Sequence, residues 1–205
     1  GSQEGYAYIS RGNCALFERA VQALECEERF SFVGSTKGRF DQILDVYNLQ
    51  QGWQVRDAFI KAFASFEELA EYAELMDDRE LKNCCKLVIR HGHAIPSLIE
   101  QIERKAIPYT GHGAGVSDRI VLTTAHKSKG LEFDLVKLAD DFAGLLDEET
   151  GAPKIPTTVE EAEEVNIQYV AVTRAKKALQ LCASVNEYME HFAEYGVDAK
   201  AAVPA

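Results

Sequence analysis

The segment TTAHKSKGLEFDLV, residues 123–136, carries side chains suited to binding a nucleotide or a nucleic acid. Lys127 and Lys129 suit phosphate groups, either of a nucleotide or of a nucleic-acid backbone. The Glu132 carboxylate is an acceptor suited to ribose hydroxyls, and Gly130 lets the backbone approach a ligand closely. Taken alone, however, the sequence KSKG is explained more simply by a solvated turn.

The segment YVAVTRAKKAL, residues 169–179, places two polar residues within an apolar helical pattern. Thr173 and Arg174 interrupt this pattern. Arg174 either forms a structural ion pair, which is the simpler interpretation, or stabilises charge on a transferring phosphoryl group. The apolar residues of the segment are expected in the core: Tyr169, Val172 and Leu179.

The segment SRGNCALFERA, residues 10–20, contains Arg11 and Asn13 between a predicted strand and a predicted helix. This junction lies at the edge where open α/β sheets bind ligands. Asn13 suits the N-cap of the helix. A capping residue is also able to contact a ligand, so both roles remain open.

The flanking patterns predict an α/β fold with a parallel sheet that would position these segments. Residues 6–10 and 29–33 alternate as strands do, and residues 14–24 between them have helical spacing. This strand–helix–strand order is the unit of a parallel sheet. Further strands are predicted at residues 118–125, 134–140 and 178–183, and further helices at residues 159–177 and 186–196.

Residues 40–115 differ from the rest of the chain because they show helical patterns without strands. Four or five helices are predicted up to Arg104, and the glycine-rich residues 109–115 would return the chain to the sheet. The chain is thus predicted to consist of a discontinuous sheet domain, an all-helical insertion, the remnant of a cleaved tag and a tail: residues 3–39 with 116–196, residues 40–115, residues 1–2 and residues 197–205.

The overall charge and the cysteine pattern argue against some classes of function. The net charge of −11 is unlike that of proteins that coat nucleic acid nonspecifically. Residues 147–165 carry seven acidic residues against Lys154, so a local basic strip elsewhere stays possible. The five irregularly spaced cysteines favour reduced core thiols over a metal site or disulfides. No segment resembles a membrane span or a signal peptide, so no membrane partner is expected.

Together, the order and spacing of the three segments resemble the UvrD/Rep-type superfamily 1 DNA helicases. TTAHKSKGLEFDLV resembles motif V of that family, and NIQYVAVTRAKKAL resembles motif VI. YISRGNCALFERAVQAL is similar to the segment that opens the second RecA-like domain. Within the group, the chain resembles in particular the F-box DNA helicases and their bacterial relatives. The insertion, residues 40–115, occupies the place of the family's 2B subdomain.

On the nucleotide side, the resemblance implies half of a site. Glu132 would accept hydrogen bonds from the ATP ribose, and Lys129 and Gly130 would line the cleft. Arg174 would be the catalytic arginine finger that reaches the γ-phosphate. The phosphate-binding sequence G-x-x-x-x-G-K-[ST] does not occur, and no acidic strand end suggests a magnesium site. ATP and Mg²⁺ would therefore be held with the N-terminal RecA-like domain of a longer parent protein, and this chain alone would be inactive.

On the DNA side, the resemblance implies a track for single-stranded DNA. Thr124 and His126 would face the strand and relay the nucleotide state to it, with Lys127 beside its phosphates. Arg11 and Asn13 would lie along the same track. The implied activity is that of the C-terminal motor half of an ATP-dependent 3′–5′ DNA helicase of repair or recombination, cytoplasmic in bacteria or nuclear in eukaryotes.

An alternative is a non-catalytic module derived from such a domain. A degenerate relative could keep the sheet as a scaffold and bind a protein or DNA through the helical insertion or the acidic loop. The acidic charge of the chain favours this alternative slightly. The intact KGLEF and VTRA sequences argue against it, because a scaffold has no physical need for them.

Overall fold

A six-stranded, all-parallel sheet forms the centre of the computed structural model, which describes residues 5–111, 118–147 and 149–195. The strands are β1 (Tyr6–Ser10), β2 (Phe30–Phe32), β3 (Ile107–Pro108), β4 (Ile120–Thr124), β5 (Phe133–Leu138) and β6 (Ala175–Gln180). Their order across the sheet is β3-β2-β4-β1-β5-β6, and every neighbouring pair is parallel. The predicted α/β class with a RecA-like parallel sheet is confirmed.

Helices lie between the strands and cover the sheet. They are α1 (Asn13–Glu25), α2 (Asp41–Gln51), α3 (Phe66–Leu75), α4 (Arg79–His91), α5 (Ile95–Lys105), α6 (Val159–Val172) and α7 (Ala183–Tyr195). Single 3₁₀ turns at Ile60–Ala62 and Gly92–Ala94 join neighbouring helices of the predicted insertion. The predicted insertion thus contains α2 to α5, as its helical patterns indicated.

Alternate residues of the strands enter two different cores, one on each face of the sheet. In β4, Ile120 and Leu122 pack with helices α1 to α5, whereas Val121 packs with α6 and α7. Ala7 and Ile9 of β1 face the second core as well. A parallel sheet is usually covered on both faces, which explains why all five residues of β4 are buried.

Strand β3 was not predicted, and residues 40–115 are therefore not free of strands. β3 has only two residues, Ile107 and Pro108, and it pairs with Ser31 and Phe32 at the edge of the sheet. Two residues are too few to show an alternating pattern.

The boundary between α6 and β6 lies earlier than the sequence predicts. The helix ends at Val172 instead of residue 177, and the strand covers Ala175–Gln180 instead of residues 178–183. The Thr173 hydroxyl donates back to the carbonyls of Tyr169 and Val170, at 3.0 Å each. Such hydrogen bonds from a side chain to the preceding turn compete with continuation of the helix. The Arg174 carbonyl then accepts from the Phe133 amide at 2.9 Å, which starts the pairing of β6 with β5.

The expected burial of Tyr169 is wrong, because 68% of this residue is exposed. Helix α6 faces the sheet with Ile167, Gln168 and Ala171, so Tyr169 points away from it. Val172 and Leu179 are partly buried against the core, in keeping with the expectation.

Some predictions fall outside the described residues. They concern the tag remnant at residues 1–2, most of the linker at 109–115, and the tail from residue 197 onward. Among the described helices, none combines the length and the apolar composition that crossing a bilayer requires.

Candidate functional site

The predicted site residues fall into two groups at opposite edges of the sheet. Thr124 ends β4, and His126 and Lys127 follow it at the carboxyl edge. Arg11 follows β1 at the same edge, where Ser10 lies opposite Thr124 and accepts from the Ala125 amide at 2.8 Å. The structure therefore brings the proposed DNA residues of two motifs together.

The second group lies at the amino edge of the sheet. Glu132 directly precedes β5, and Arg174 directly precedes β6. Residues 123–136 thus begin at the carboxyl end of β4 and run into β5, so Glu132 lies at the amino edge. The reason is that β4 connects to the parallel strand β5 through eight residues without a helix, so the turn must cross from one edge to the other.

A compact turn at residues 125–131 makes this crossing. The buried Ser128 hydroxyl donates to the Ala125 carbonyl at 2.7 Å, and the Leu131 amide donates to the Ser128 carbonyl at 2.9 Å. Gly130 adopts a left-handed conformation with φ of 83°, which favours glycine, and the space on its Cβ side is open. Lys127 and Lys129 of this turn, and Glu132 directly after it, have exposed side chains.

Arg174 is held against the end of this turn. Its Nη1 donates to the Leu131 carbonyl at 3.1 Å, and its Nε donates to the Val170 carbonyl at 2.9 Å. Nη2 donates to the Thr173 hydroxyl at 2.9 Å. Within the described part of the chain, no carboxylate lies at ion-pair distance from Arg174, so the structural ion pair considered from the sequence is not formed there. The guanidinium donates to two backbone carbonyls and one hydroxyl instead.

Arg11 and Asn13 are both engaged by other side chains of the protein. The Arg11 guanidinium donates from Nε and Nη2 to Glu164 of α6, with a shortest distance of 2.6 Å. This pairing raises the pKa of Arg11. Asn13 is the first residue of α1 instead of its N-cap, which is Gly12, so the expected capping role is wrong. The Asn13 amide oxygen instead accepts from Arg39 Nη1 at 3.5 Å.

The start of α1 is capped by two carboxylates that sequence reasoning missed. Asp141 accepts from the amides of Arg11 and Gly12, both at 2.9 Å. Glu80 of α4 accepts from the amides of Asn13 and Cys14 at 2.8 and 3.1 Å. Carboxylates suit the positive end of a helix dipole. Asp141 follows β5 at the carboxyl edge and could have been found by that rule, whereas nothing in the sequence links Glu80 to α1.

Arg39 is a second residue that sequence reasoning missed. It is only 8% exposed, and it donates to the carbonyls of Val33 and Ser35 at 2.7 and 3.0 Å. Its guanidinium lies 5.0 Å from the centre of the Phe32 ring. Burial and the charge of Arg39 together lower the pKa of Lys127. Arg39 and Lys127 thus form a positive corner at the carboxyl ends of β2 and β4, which favours an anion.

Comparison with known proteins identifies the same family as the motifs. Residues 59–186 match the UvrD-like helicase C-terminal domain. The chain is 31% identical to F-box DNA helicase 1 of Gallus gallus, over 94% of the chain and 21% of that protein. It is 50% identical to F-box DNA helicase protein 1 of Schizosaccharomyces pombe, over 86% of the chain and 20% of that protein.

A bacterial relative matches at lower identity. The chain is 28% identical to ATP-dependent DNA helicase UvrD2 of Mycobacterium tuberculosis, over 88% of the chain and 25% of that protein. The chain thus spans between a fifth and a quarter of the length of these relatives. The family match and the arrangement of motifs V and VI on a parallel sheet agree, and the chain belongs to the UvrD-like helicase C-terminal domain family.

Proposed function

We propose that the chain is the second RecA-like motor domain of an ATP-dependent 3′–5′ DNA helicase. One observation carries the proposal. A single ordered turn joins the carboxyl edge, where Thr124 and His126 lie, to the amino edge, where Arg174 contacts Leu131 beside Glu132. A change at the nucleotide edge would therefore reach the DNA edge through only a few hydrogen-bonded residues.

The residues at the amino edge fit the nucleotide role. Glu132 is exposed and would accept hydrogen bonds from the ribose of ATP, and Lys129 and Gly130 would line the cleft. Arg174 carries a positive charge that no described carboxylate neutralises, so it would stabilise negative charge on a transferring phosphate. Mg²⁺ and the phosphate cradle would belong to the N-terminal RecA-like domain of the parent protein.

The residues at the carboxyl edge fit the DNA role. Thr124 and His126 would face single-stranded DNA, and the exposed Lys127 would contact a phosphate. Arg11 and Asn13 would line the same track, with Arg11 held in place by Glu164. Phosphate contacts of this kind position a strand without reading its sequence, which suits a motor that moves along DNA.

The surroundings of the motor domain complete the proposal. The helices of residues 40–115 would take the place of the family's 2B subdomain and are the best candidate surface for a protein partner. The parent protein would act in the cytoplasm of a bacterium or the nucleus of a eukaryote. It would serve DNA repair or recombination.

The arginine finger is tested by Arg174→Ala in the intact parent protein. We expect DNA-stimulated ATP hydrolysis to fall by about 10³-fold or more, because the variant lacks the charge that stabilises the transition state. Nucleotide affinity, measured with a fluorescent ATP analogue, should stay within about threefold, since other groups supply most ground-state contacts.

Lys176→Ala is the matched control for this experiment. Lys176 lies two residues from Arg174 and is exposed, but it pairs with Asp134 at 3.2 Å. Its removal should leave hydrolysis near the wild-type rate. Near-normal turnover by Arg174→Ala would exclude the arginine finger.

A further inference from the structure

Two buried thiols and a carboxylate meet where α1 packs against α4. The sulfurs of Cys14 and Cys84 lie 2.8 Å apart, and both residues are at most 2% exposed. Together with a carboxylate oxygen of Glu80, the sulfurs form a set whose atoms all lie within 4.8 Å of one another. Cys14 is the second residue of α1, whereas Glu80 and Cys84 are one turn apart on α4.

The negative charge of Glu80 is met by the backbone amides at the start of α1 and, less directly, by the charge of Arg11. In the described ranges, no lysine, arginine or histidine lies at ion-pair distance from Glu80. Burial raises the pKa of the Cys14 thiol well above its usual value, and Cys84 and Glu80 raise it further. Removal of water and proximity of negative groups both disfavour a lone thiolate. A divalent cation among these atoms would stabilise both thiolates by its charge.

We infer that Cys14, Glu80 and Cys84 form a zinc site that joins the start of α1 to the helical insertion. Two thiolates and a carboxylate are a donor set that zinc accepts in tetrahedral sites, with a water molecule as the fourth ligand. Binding releases the two thiol protons to solvent and changes no oxidation state. None of the three residues belongs to the groups used in the proposed motor function, although Glu80 also accepts from the amide of Asn13.

The geometry needs one small adjustment. At zinc–sulfur distances of about 2.3 Å, two tetrahedral sulfur ligands lie about 3.8 Å apart. The two sulfurs would therefore separate by about 1 Å from their present 2.8 Å. The carboxylate is already oriented, because the amides of Asn13 and Cys14 donate to Glu80 Oε1. Hydrogen bonds to a ligating carboxylate are a regular feature of metal sites.

A disulfide between Cys14 and Cys84 is the competing chemistry. Both sulfurs are buried, so an external oxidant has little access to either of them. Glu80 contributes nothing to a disulfide, whereas it completes a metal site. The arrangement therefore favours a metal over oxidation.

The test is titration of the reduced chain with Co²⁺, which substitutes for Zn²⁺ and gives a visible spectrum. We expect a thiolate-to-cobalt charge-transfer band that saturates at about one ion per chain. Zn²⁺ should displace the band, and Zn²⁺ at about 100 times its Kd should raise the melting temperature by about 5–10 °C. Addition of EDTA should reverse both effects.

Four variants locate the site. Cys14→Ser and Cys84→Ser should each abolish the band, and Glu80→Gln should weaken Co²⁺ affinity about tenfold or more, while its amide oxygen still caps α1. Cys85→Ser is the matched control, because Cys85 is also buried on α4 but lies outside the cluster. It should keep the band. Circular dichroism tests whether each variant is folded. If the cysteine variants do not fold, the Co²⁺ affinity of Glu80→Gln is the deciding measurement.

Three results would overturn the inference. The first is a reduced wild-type chain that shows no thiolate–cobalt band. The second is a band that persists unchanged in Cys14→Ser, Cys84→Ser and Glu80→Gln. The third is an intact mass that lacks two hydrogens after purification under argon, with Cys14 and Cys84 in one cross-linked peptide, which would establish a disulfide instead.

Discussion

At the scale of single residues, the junction between β1 and α1 depends on a close contact between a glycine and a glutamate. A Cβ atom on Gly12 would lie 1.8 Å from Glu80 Oε2. Gly12 has an ordinary extended backbone with φ of −122°, so the need for glycine here is one of space. Only the absence of a side chain lets the Glu80 carboxylate reach the first amides of α1.

Gly12→Ala should therefore destabilise the fold by about 1–3 kcal/mol, because it displaces Glu80 from the partly buried amides of Asn13 and Cys14. Urea unfolding measures the change. Gly144→Ala is the control, since the nearest atom to its new Cβ is the Leu146 carbonyl oxygen at 3.9 Å. In a Glu80→Ala background, Gly12→Ala should cost little more. Equal costs in the two backgrounds would contradict the contact.

Asp141 makes the same junction sensitive to pH. Burial and the charge of Glu80 together raise the pKa of Asp141 to about 6, despite the lowering effect of the backbone amides of Arg11 and Gly12. The folded state therefore holds a proton that the unfolded state has released between about pH 4 and pH 6. Over that window the contribution of Asp141 to stability falls as pH rises, and it stays low above pH 6.

The measurement is the free energy of unfolding of wild type minus that of Asp141→Asn, as a function of pH. We expect this difference to fall by about 2–3 kcal/mol from pH 4 to pH 7, because the asparagine does not titrate. Subtraction removes the titration of all other groups. A difference that is flat or rises with pH would contradict the raised pKa.

The sequence predicted the site residues that lie next to a strand, but it missed those that reach the site from distant segments. Thr124, His126 and Lys127 were placed at a strand end because the apolar run before them is continuous and local. Glu80 and Arg39 reach the site from segments that are distant in sequence, as in the 67-residue separation of Asn13 and Glu80. Such contacts depend on how the helices pack against one another. Local patterns in a single sequence do not predict that packing.

At the scale of elements, helix α6 buries a different face from the one that the spacing of its apolar residues predicts. Val165, Tyr169 and Val172 have the spacing of an apolar face, yet the buried face is that of Ile167, Gln168 and Ala171. Gln168 is only 3% exposed, and its amide donates to the Ser184 hydroxyl of α7 at 3.1 Å. This hydrogen bond satisfies the Gln168 amide nitrogen, whereas the buried Gln168 Oε1 has no hydrogen-bond partner among the described residues.

A pair of substitutions tests which face of α6 is buried. Ile167→Ala should cost about 2–4 kcal/mol of unfolding free energy, because it removes buried methyl groups from the second core. Tyr169→Ala should change stability by less than about 1 kcal/mol, since 68% of Tyr169 is exposed. Thermal or urea unfolding of the two variants is sufficient. A larger loss for Tyr169→Ala would reverse the assigned faces.

At the scale of the whole molecule, the sheet separates two charged surfaces on a protein of net charge −11. The positive corner of Arg39 and Lys127 lies at the carboxyl edge, whereas Arg174 lies at the amino edge beside Glu132. Net charge alone disfavours DNA, so attraction must come from such local groups. The two lysines of the turn at residues 125–131 should therefore serve different ligands.

This division predicts different salt dependences for two neighbouring lysines in the intact parent protein. Lys127→Ala should reduce the slope of log K against log salt for single-stranded DNA by about 0.7, the value for one lost phosphate contact. Lys129→Ala should leave that slope unchanged and weaken ATP binding instead, because Lys129 follows Lys127 in the turn toward the amino edge, which is proposed to bind the nucleotide. Fluorescence anisotropy with a labelled oligonucleotide between low and moderate salt gives both slopes. If the two variants shift the slope equally, the turn is one basic surface and the proposed separation of DNA from nucleotide is wrong.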